Sequence, residues 1–188
     1  MQTAYVALTV LMNLPIRHTP LSEGGFGNTI TTYAIQKGFA NVVTMTGLRG
    51  RWETLEQSPL TICDTGHNSH GIKYVAEQLR HLHAQHQGTL RIVLGMVNDK
   101  DVNEVMRLLP EDAVYYFTEA DTHRAIPAEE MKRKWIAIHP DWKGISHIYN
   151  NTLNAFNAIQ RDKTDKDIIF YGGSNYIVGE IQKYYSIK

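Results

Sequence analysis

Four side chains able to bind or move charge are gathered into one stretch: Arg51, then Asp64, His67 and Asn68. Arg51 stands in Gly47-Leu48-Arg49-Gly50-Arg51-Trp52-Glu53; the others open Asp64-Thr65-Gly66-His67-Asn68-Ser69-His70-Gly71. Between the two lies Leu60-Thr61-Ile62-Cys63, a short apolar run bounded by Pro59 and Asp64. Such a run, followed by Gly and Asn and then a helical pattern, reads as a buried strand feeding a helix. Asp64, His67 and Asn68 then fall at the carboxyl end of the first strand of a parallel sheet, where open α/β folds bind ligands. A hairpin across Gln57-Ser58-Pro59 folds Arg51 back beside Asp64. An acid, an imidazole, an amide and a guanidinium around one strand end suit a nucleotide or a phosphorylated intermediate.

Each group also has a plainer reading. Asp64 accepts hydrogen bonds from ribose hydroxyls or caps the helix that follows it, and its residue type does not choose between them. His67 is a phosphate or metal neighbour, or an imidazole satisfied within its own loop. Arg51 is a phosphate ligand or a solvated charge. Asp64-Thr65-Gly66 is also the triplet of aspartic proteases, but those need two aspartates sharing a proton on an all-β scaffold. The triplet occurs once here, in an α/β pattern, which excludes that chemistry. His81, His83 and His86 invite a metal, yet only His83 and His86 share a helix side and no Cys, Asp or Glu at ligand spacing joins them. Gly24-Gly25-Phe26-Gly27-Asn28 is rich in glycine but lacks the Gly-Lys-Ser/Thr ending of a phosphate loop. No such ending occurs anywhere in the sequence.

The elements that must position these groups follow from periodicity. Residues 69 to 85 form an amphipathic helix with Ile72, Val75, Ala76, Leu79 and Leu82 on one face. Strands are expected at 90–94, 113–117, 145–148 and 167–171, alternating with helices at 101–109, 127–138, 150–160 and 174–185. Pro127 suits a helix start. This alternation predicts a doubly wound, mostly parallel α/β sheet. Lys100 follows the second strand of that sheet, Arg124 the third and Ser174 the last. Lys100 between Asp99 and Asp101 also reads as a balanced loop charge, and Ser174 as an N-cap. Upstream, residues 3 to 14 read as a helix apolar all round, residues 29 to 37 as a helix capped by Asn28 and stopped by Gly38, and residues 41 to 45 as a β-leaning linker.

The 188 residues suffice for one full domain and part of another. With 43% hydrophobic and 20% charged residues the chain is of ordinary soluble composition. A net charge of +0 without a run of one sign argues against a nucleic-acid surface. The single cysteine, Cys63, excludes an internal disulfide, fits a reducing compartment, and within an apolar strand reads as packing. The apolar segment at 4–14 has no preceding basic residue and is shorter than the ~20 residues that span a bilayer, so a cytoplasmic protein is expected.

The GRWE segment, the Pro-led strand and DTGHNSHG together resemble the C-terminal domain of the folylpolyglutamate synthase / dihydrofolate synthase family, within the Mur ligase superfamily. That family carries Gly-Arg-x-Glu followed by Asp-Gly-Ala-His-Asn; Thr65 and Gly66 stand here where Gly and Ala are usual. The similarity continues through Gly95-Met96-Val97-Asn98-Asp99-Lys100-Asp101 and ends at Gly173-Ser174-Asn175-Tyr176-Ile177-Val178-Gly179-Glu180. It implies a glutamate-ligase domain over residues 46–188, preceded at 1–45 by the tail of a central ATPase domain. It implies an ATP-dependent acid–amino-acid ligase of folate metabolism, in which ATP phosphorylates a pteroate or folate carboxylate and the amine of glutamate displaces phosphate. Arg51, Asp64, His67 and Asn68 would face the nucleotide, with Arg51, Asp64 and His67 taking part in catalysis. Lys100, Arg124 and Ser174 would hold the glutamate carboxylates, which lysine, arginine and a helix N-terminus suit. Mg²⁺ is expected with ATP, its main ligands and the phosphate loop lying in an N-terminal domain. No metal ligand is expected in this chain, which alone should be inactive. The alternatives are a Mur peptidoglycan ligase domain and a stand-alone nucleotide- or amino-acid-binding module. The apolar helix at 3–14 is expected to support non-native self-association.

Overall fold

A computed structural model describes residues 32–98 and 102–186, and the chain divides into two compact units, Met1–Arg49 and Gly50–Lys188. The expectations for residues 3 to 14, for residues 24 to 28 and for the Asn28 cap fall outside the described residues.

In the first unit, α1 (Thr32–Ala40) and α2 (Val42–Thr46) follow one another. Two expectations are corrected here. Gly38 does not stop α1, and it is not among the glycines of positive φ. The helix ends instead where Asn41 turns back, its backbone N–H and its side-chain Nδ2 both donating to the Lys37 carbonyl at 3.1 and 2.8 Å. Residues 41 to 45 do not extend as a strand but wind into α2. The β-branched Val42, Val43 and Thr44 prefer a pleated surface only where a neighbouring strand offers one. Among the described residues no strand pairs with this stretch; the hydroxyls of Thr44 and Thr46 donate to the Asn41 and Val42 carbonyls, and Gly47 closes the turn at φ 67.

The second unit is a six-stranded sheet in the order β1-β2-β6-β3-β4-β5. Its strands are β1 (Glu53–Gln57), β2 (Leu60–Asp64), β3 (Leu90–Leu94), β4 (Val114–Thr118), β5 (Ser146–Tyr149) and β6 (Ile168–Gly172). Only β1 is antiparallel; it folds onto β2 across a turn whose Ser58–Pro59 peptide is cis. The helices are α3 (Ser69–Gln85), α4 (Val102–Leu108), α5 (Ala128–Ile138), α6 (Thr152–Asp162) and α7 (Asn175–Ser186). The fold class read from the alternation of strand and helix patterns is the one observed, and the end positions differ by no more than two residues.

Alternation along each strand assigns the two faces. Ile92, Leu94, Tyr115, Phe117, Ile168 and Phe170 pack with α3, α4 and α5; Val93, Tyr116, Ile169 and Tyr171 pack with α6 and α7. Burying each large apolar side chain contributes roughly 1.5–3 kcal/mol, and β6, buried at every residue, lies at the centre. Its follower α7 lies on the opposite face from α3 and α4, which follow the neighbouring strands β2 and β3. The carboxyl end of β6 is therefore a switch point, the place where open α/β sheets bind ligands.

At the amino edge Arg91 Nε donates to Asp167 Oδ2 at 2.8 Å, and the amides of Thr89 and Thr164 donate to the same carboxylate. This pair, a buried carboxylate and a half-buried guanidinium, joins β3 to β6 at the end of the sheet remote from Asp64.

Candidate functional site

Parallel pairing sets Asp64 of β2 beside Gly172 of β6, and Gly172 beside Leu94 of β3. Asp64 and Ser174 thus share the carboxyl edge, with the segment leading toward Lys100 leaving from the same edge. Lys100 itself lies outside the described residues. The glycines of this edge allow close approach of backbones. Gly173 has φ 95, and a Cβ there would lie 2.7 Å from the Gly95 carbonyl oxygen.

Asp64 is buried, and both its oxygens accept backbone hydrogen bonds: Oδ2 from Trp52 N–H at 2.7 Å, Oδ1 from Gly66 N–H at 2.6 Å. It does not cap α3. That role falls to Asn68, whose Oδ1 accepts from Gly71 N–H at 2.9 Å, a cap worth about 1 kcal/mol. Asp64 instead ties the segment after Arg51 to the loop that carries His67. Trp52, so held, sits at φ 47, a conformation that bulky residues seldom adopt.

His67 Nδ1 lies 2.7 Å from the Thr65 carbonyl. A carbonyl only accepts, so Nδ1 carries the proton and Nε2 is left as the basic nitrogen. Arg51 is exposed, with one bond from Nη1 to the Gly50 carbonyl at 3.2 Å. An exposed guanidinium, an imidazole with a free lone pair and the N-terminus of α3 therefore meet at the β2 end of the edge.

Ser174 is 2% exposed, and its Oγ accepts from Ile177 N–H at 3.3 Å as the cap of α7. What this position offers a ligand is the start of α7 rather than the hydroxyl. Arg124 is exposed in the loop after β4; its carbonyl accepts from Asn98 N–H at 2.9 Å, and Val97 bridges Ala125. The loops after β3 and β4 are thereby zipped together. Four adjacent strand ends at about 4.8 Å spacing separate the Asp64 end from the β4 end by roughly 14 Å. The structure brings Arg51, Asp64, His67 and Asn68 together, and places Ser174 and Arg124 further along the same edge.

A groove of about 810 Å³ opens beside Ser174, lined in part by Glu119, Asp121, Asn175, Tyr176 and Lys183. Its carboxylates make it a poor seat for a dianion. Among the described residues no three His, Cys, Asp or Glu side chains converge to hold a metal ion. His83 pairs with Asp112 at 3.2 Å, and His86 Nδ1 meets the Leu82 carbonyl. Cys63 is fully buried, as packing requires.

Three residues that the sequence did not mark complete the site. Thr65 donates through N–H and Oγ1 to the Gly50 carbonyl, both at 2.9 Å. Glu53 Oε2 accepts from Gly50 N–H at 2.6 Å and from Gln182 Nε2 of α7 at 2.7 Å. Glu53 stands in the Gly-Arg-x-Glu segment and was findable there; Gln182 carries no sequence signal.

The family model described as "Mur ligase, glutamate ligase domain" matches residues 50–175. Dihydrofolate synthase/folylpolyglutamate synthase of Buchnera aphidicola subsp. Schizaphis graminum is 29% identical over 175 residues, which cover 90% of this chain and 40% of that protein. The Haemophilus influenzae protein of the same name is 28% identical over 127 residues, 67% of this chain and 29% of that one. Escherichia coli FolC in complex with DHPP and ADP superposes with a TM-score of 0.72 at 23% identity, covering 86% of this chain and 36% of FolC. The bifunctional folylpolyglutamate synthase/dihydrofolate synthase of Yersinia pestis complexed with AMPPNP and Mn ion gives 0.66 at 22% identity, covering 83% and 35%. The likeness to solved structures carries the fold. The chain spans no more than about two fifths of the length of these relatives.

Proposed function

Because the chain belongs to the Mur ligase family through its glutamate-ligase domain, we propose that it is the C-terminal part of an ATP-dependent ligase joining glutamate to a pteroate or folate. Residues 46–188 are in this reading the glutamate-ligase domain, and residues 1–45 the end of an ATPase domain. The observation that carries the proposal is the grouping of Arg51, Asp64, His67 and Asn68 at the carboxyl end of β2, beside the switch point at β6. The named relatives, and solved neighbours bound to ADP or AMPPNP, supply the substrate class.

The roles follow from what each atom is free to do. Arg51 reaches the transferring phosphate and offsets its charge. His67 Nε2 accepts a hydrogen bond at the nucleotide. Asp64 braces the two loops, and each oxygen keeps a lone pair for a ribose hydroxyl. Arg124, the start of α7 and Lys100 face the glutamate carboxylates. Closure against an ATPase domain excludes water from the acyl phosphate. In this reading Mg²⁺ would accompany ATP, with its main ligands in the ATPase domain.

The sequence holds no Gly-Lys-Ser/Thr phosphate loop. The 188-residue chain alone, given ATP, Mg²⁺, L-glutamate and dihydropteroate, should yield neither phosphate nor ligated product above background. Release of phosphate coupled to product by this chain would show that the active site is complete within it and that the division of roles is wrong. Among the described residues no helix is long and apolar enough to cross a membrane.

A further inference from the structure

The Arg51 side chain is exposed, yet the backbone on either side of it is held at three polar atoms. Gly50 C=O accepts from Thr65, Trp52 N–H donates to Asp64, and Gly50 N–H donates to Glu53. Gly50 has φ 70, and a Cβ there would sit 2.9 Å from Thr65 Cγ2 and 3.2 Å from Val178 Cγ1. With Trp52 at φ 47, the turn at 50–52 is an arch in an unfavourable backbone conformation that its neighbours maintain. Glu53 is the member of this set reaching furthest: the same oxygen that receives Gly50 N–H receives Gln182 Nε2 of α7, 129 residues away in sequence. It fastens the arch to the helix that starts at the switch point.

We infer that Glu53 is a positioning residue that sets where the Arg51 guanidinium stands, and that Gln182 holds Glu53 in that role. The inference rests on the reading of Arg51 as a phosphate ligand. It has a sign that simple electrostatics does not share. Removing a carboxylate near a phosphate site should on charge alone strengthen binding of the more anionic nucleotide. Loss of positioning should weaken it.

The test is calorimetric titration of the 188-residue chain with ATP and with AMP. One or two charge-assisted hydrogen bonds from Arg51 should make ATP bind about tenfold or more tighter than AMP. Arg51→Ala should abolish most of that ratio. Glu53→Ala should lower it to a similar degree with AMP affinity unchanged, and Glu53→Gln, which keeps an oxygen for Gly50 N–H, should restore it. A ratio in Glu53→Ala equal to or above the wild-type value overturns the inference, as does equal weakening of both nucleotides. If Arg51→Ala leaves the ratio unchanged, the phosphate role of Arg51 is wrong, and amide hydrogen exchange then decides the arch by itself. Exchange at Gly50 and Trp52 about tenfold faster in Glu53→Ala, with Ile92 and Val93 unaltered, supports it. Unchanged exchange at those two amides refutes it.

Discussion

In a ligase carrying this domain, Arg51→Ala should lower the rate of glutamate addition by about 10²–10³-fold, the usual cost of removing one group aimed at developing charge. The loss should appear in kcat, because in the proposed role the guanidinium would stabilise the transferring phosphoryl group more than the bound ground state. Arg51→Lys should recover little, since an ammonium lacks the planar fork that meets two phosphate oxygens. Stability should stay within about 0.5 kcal/mol of wild type, because the side chain is exposed and its one mapped bond is to the adjacent carbonyl. Steady-state kinetics beside a thermal melt measures both. Near-normal turnover in a well-folded Arg51→Ala enzyme would remove Arg51 from the chemistry.

Asp167→Ala should destabilise the domain by about 3–5 kcal/mol, because it removes a buried carboxylate that accepts from the half-buried Arg91 and from the Thr89 and Thr164 amides, and all three donors lose it together. The midpoint of thermal unfolding should fall on the order of 10–20 °C. Burial alone would raise the Asp167 carboxyl, but hydrogen bonds from Arg91 and from the Thr164 and Thr89 amides outweigh it and hold the group below the ordinary aspartate range. The folded state therefore keeps Asp167 ionised at lower pH than the unfolded chain does. Its contribution is full above about pH 4 and is lost as pH falls through the folded-state value. Melts of wild type and Asp167→Asn should differ by a constant amount near neutrality and converge in acid. Replacing both partners with apolar residues, Arg91→Met with Asp167→Ala, should restore part of the loss. A single Asp167→Ala variant melting within about 2 °C of wild type would show that the pair is not a structural tie.

Much of this architecture could be read before any coordinates. The helix at 69–85 was legible because its apolar spacing and its length agree, whereas its cap is Asn68 and not the Asp64 that the sequence offered. The buried strands were legible as short apolar runs between turn residues. Residues 41 to 45 misled because β-branched side chains signal a strand only if a sheet edge is there to receive them. Gly38 misled because a glycine ends a helix only where the chain adopts a positive φ, and here Asn41 supplies the stop through its side chain. The candidate site was legible as residue types, and through the family likeness as an order of motifs. The hydrogen bonds that set its geometry were not. Asp64 to Trp52, Thr65 to Gly50 and Gln182 to Glu53 join residues that only the folded sheet brings together. Nothing local marks Asp64 as a brace rather than a helix cap, or Gln182 as a member of the site at all.

The claim on which the rest depends is that the carboxyl end of β2 faces the nucleotide. Titration of the ¹⁵N-labelled chain with ATP, followed amide by amide, tests it most directly. The account predicts that the largest shifts fall at Gly50, Arg51, Trp52, Gly66, His67 and Asn68, with smaller ones at the start of α7. Thr89, Thr164 and Asp167 at the opposite edge should stay still. Shifts concentrated at that opposite edge, or in the groove beside Asp121 and Lys183 with the Arg51 and His67 loops unmoved, would contradict it.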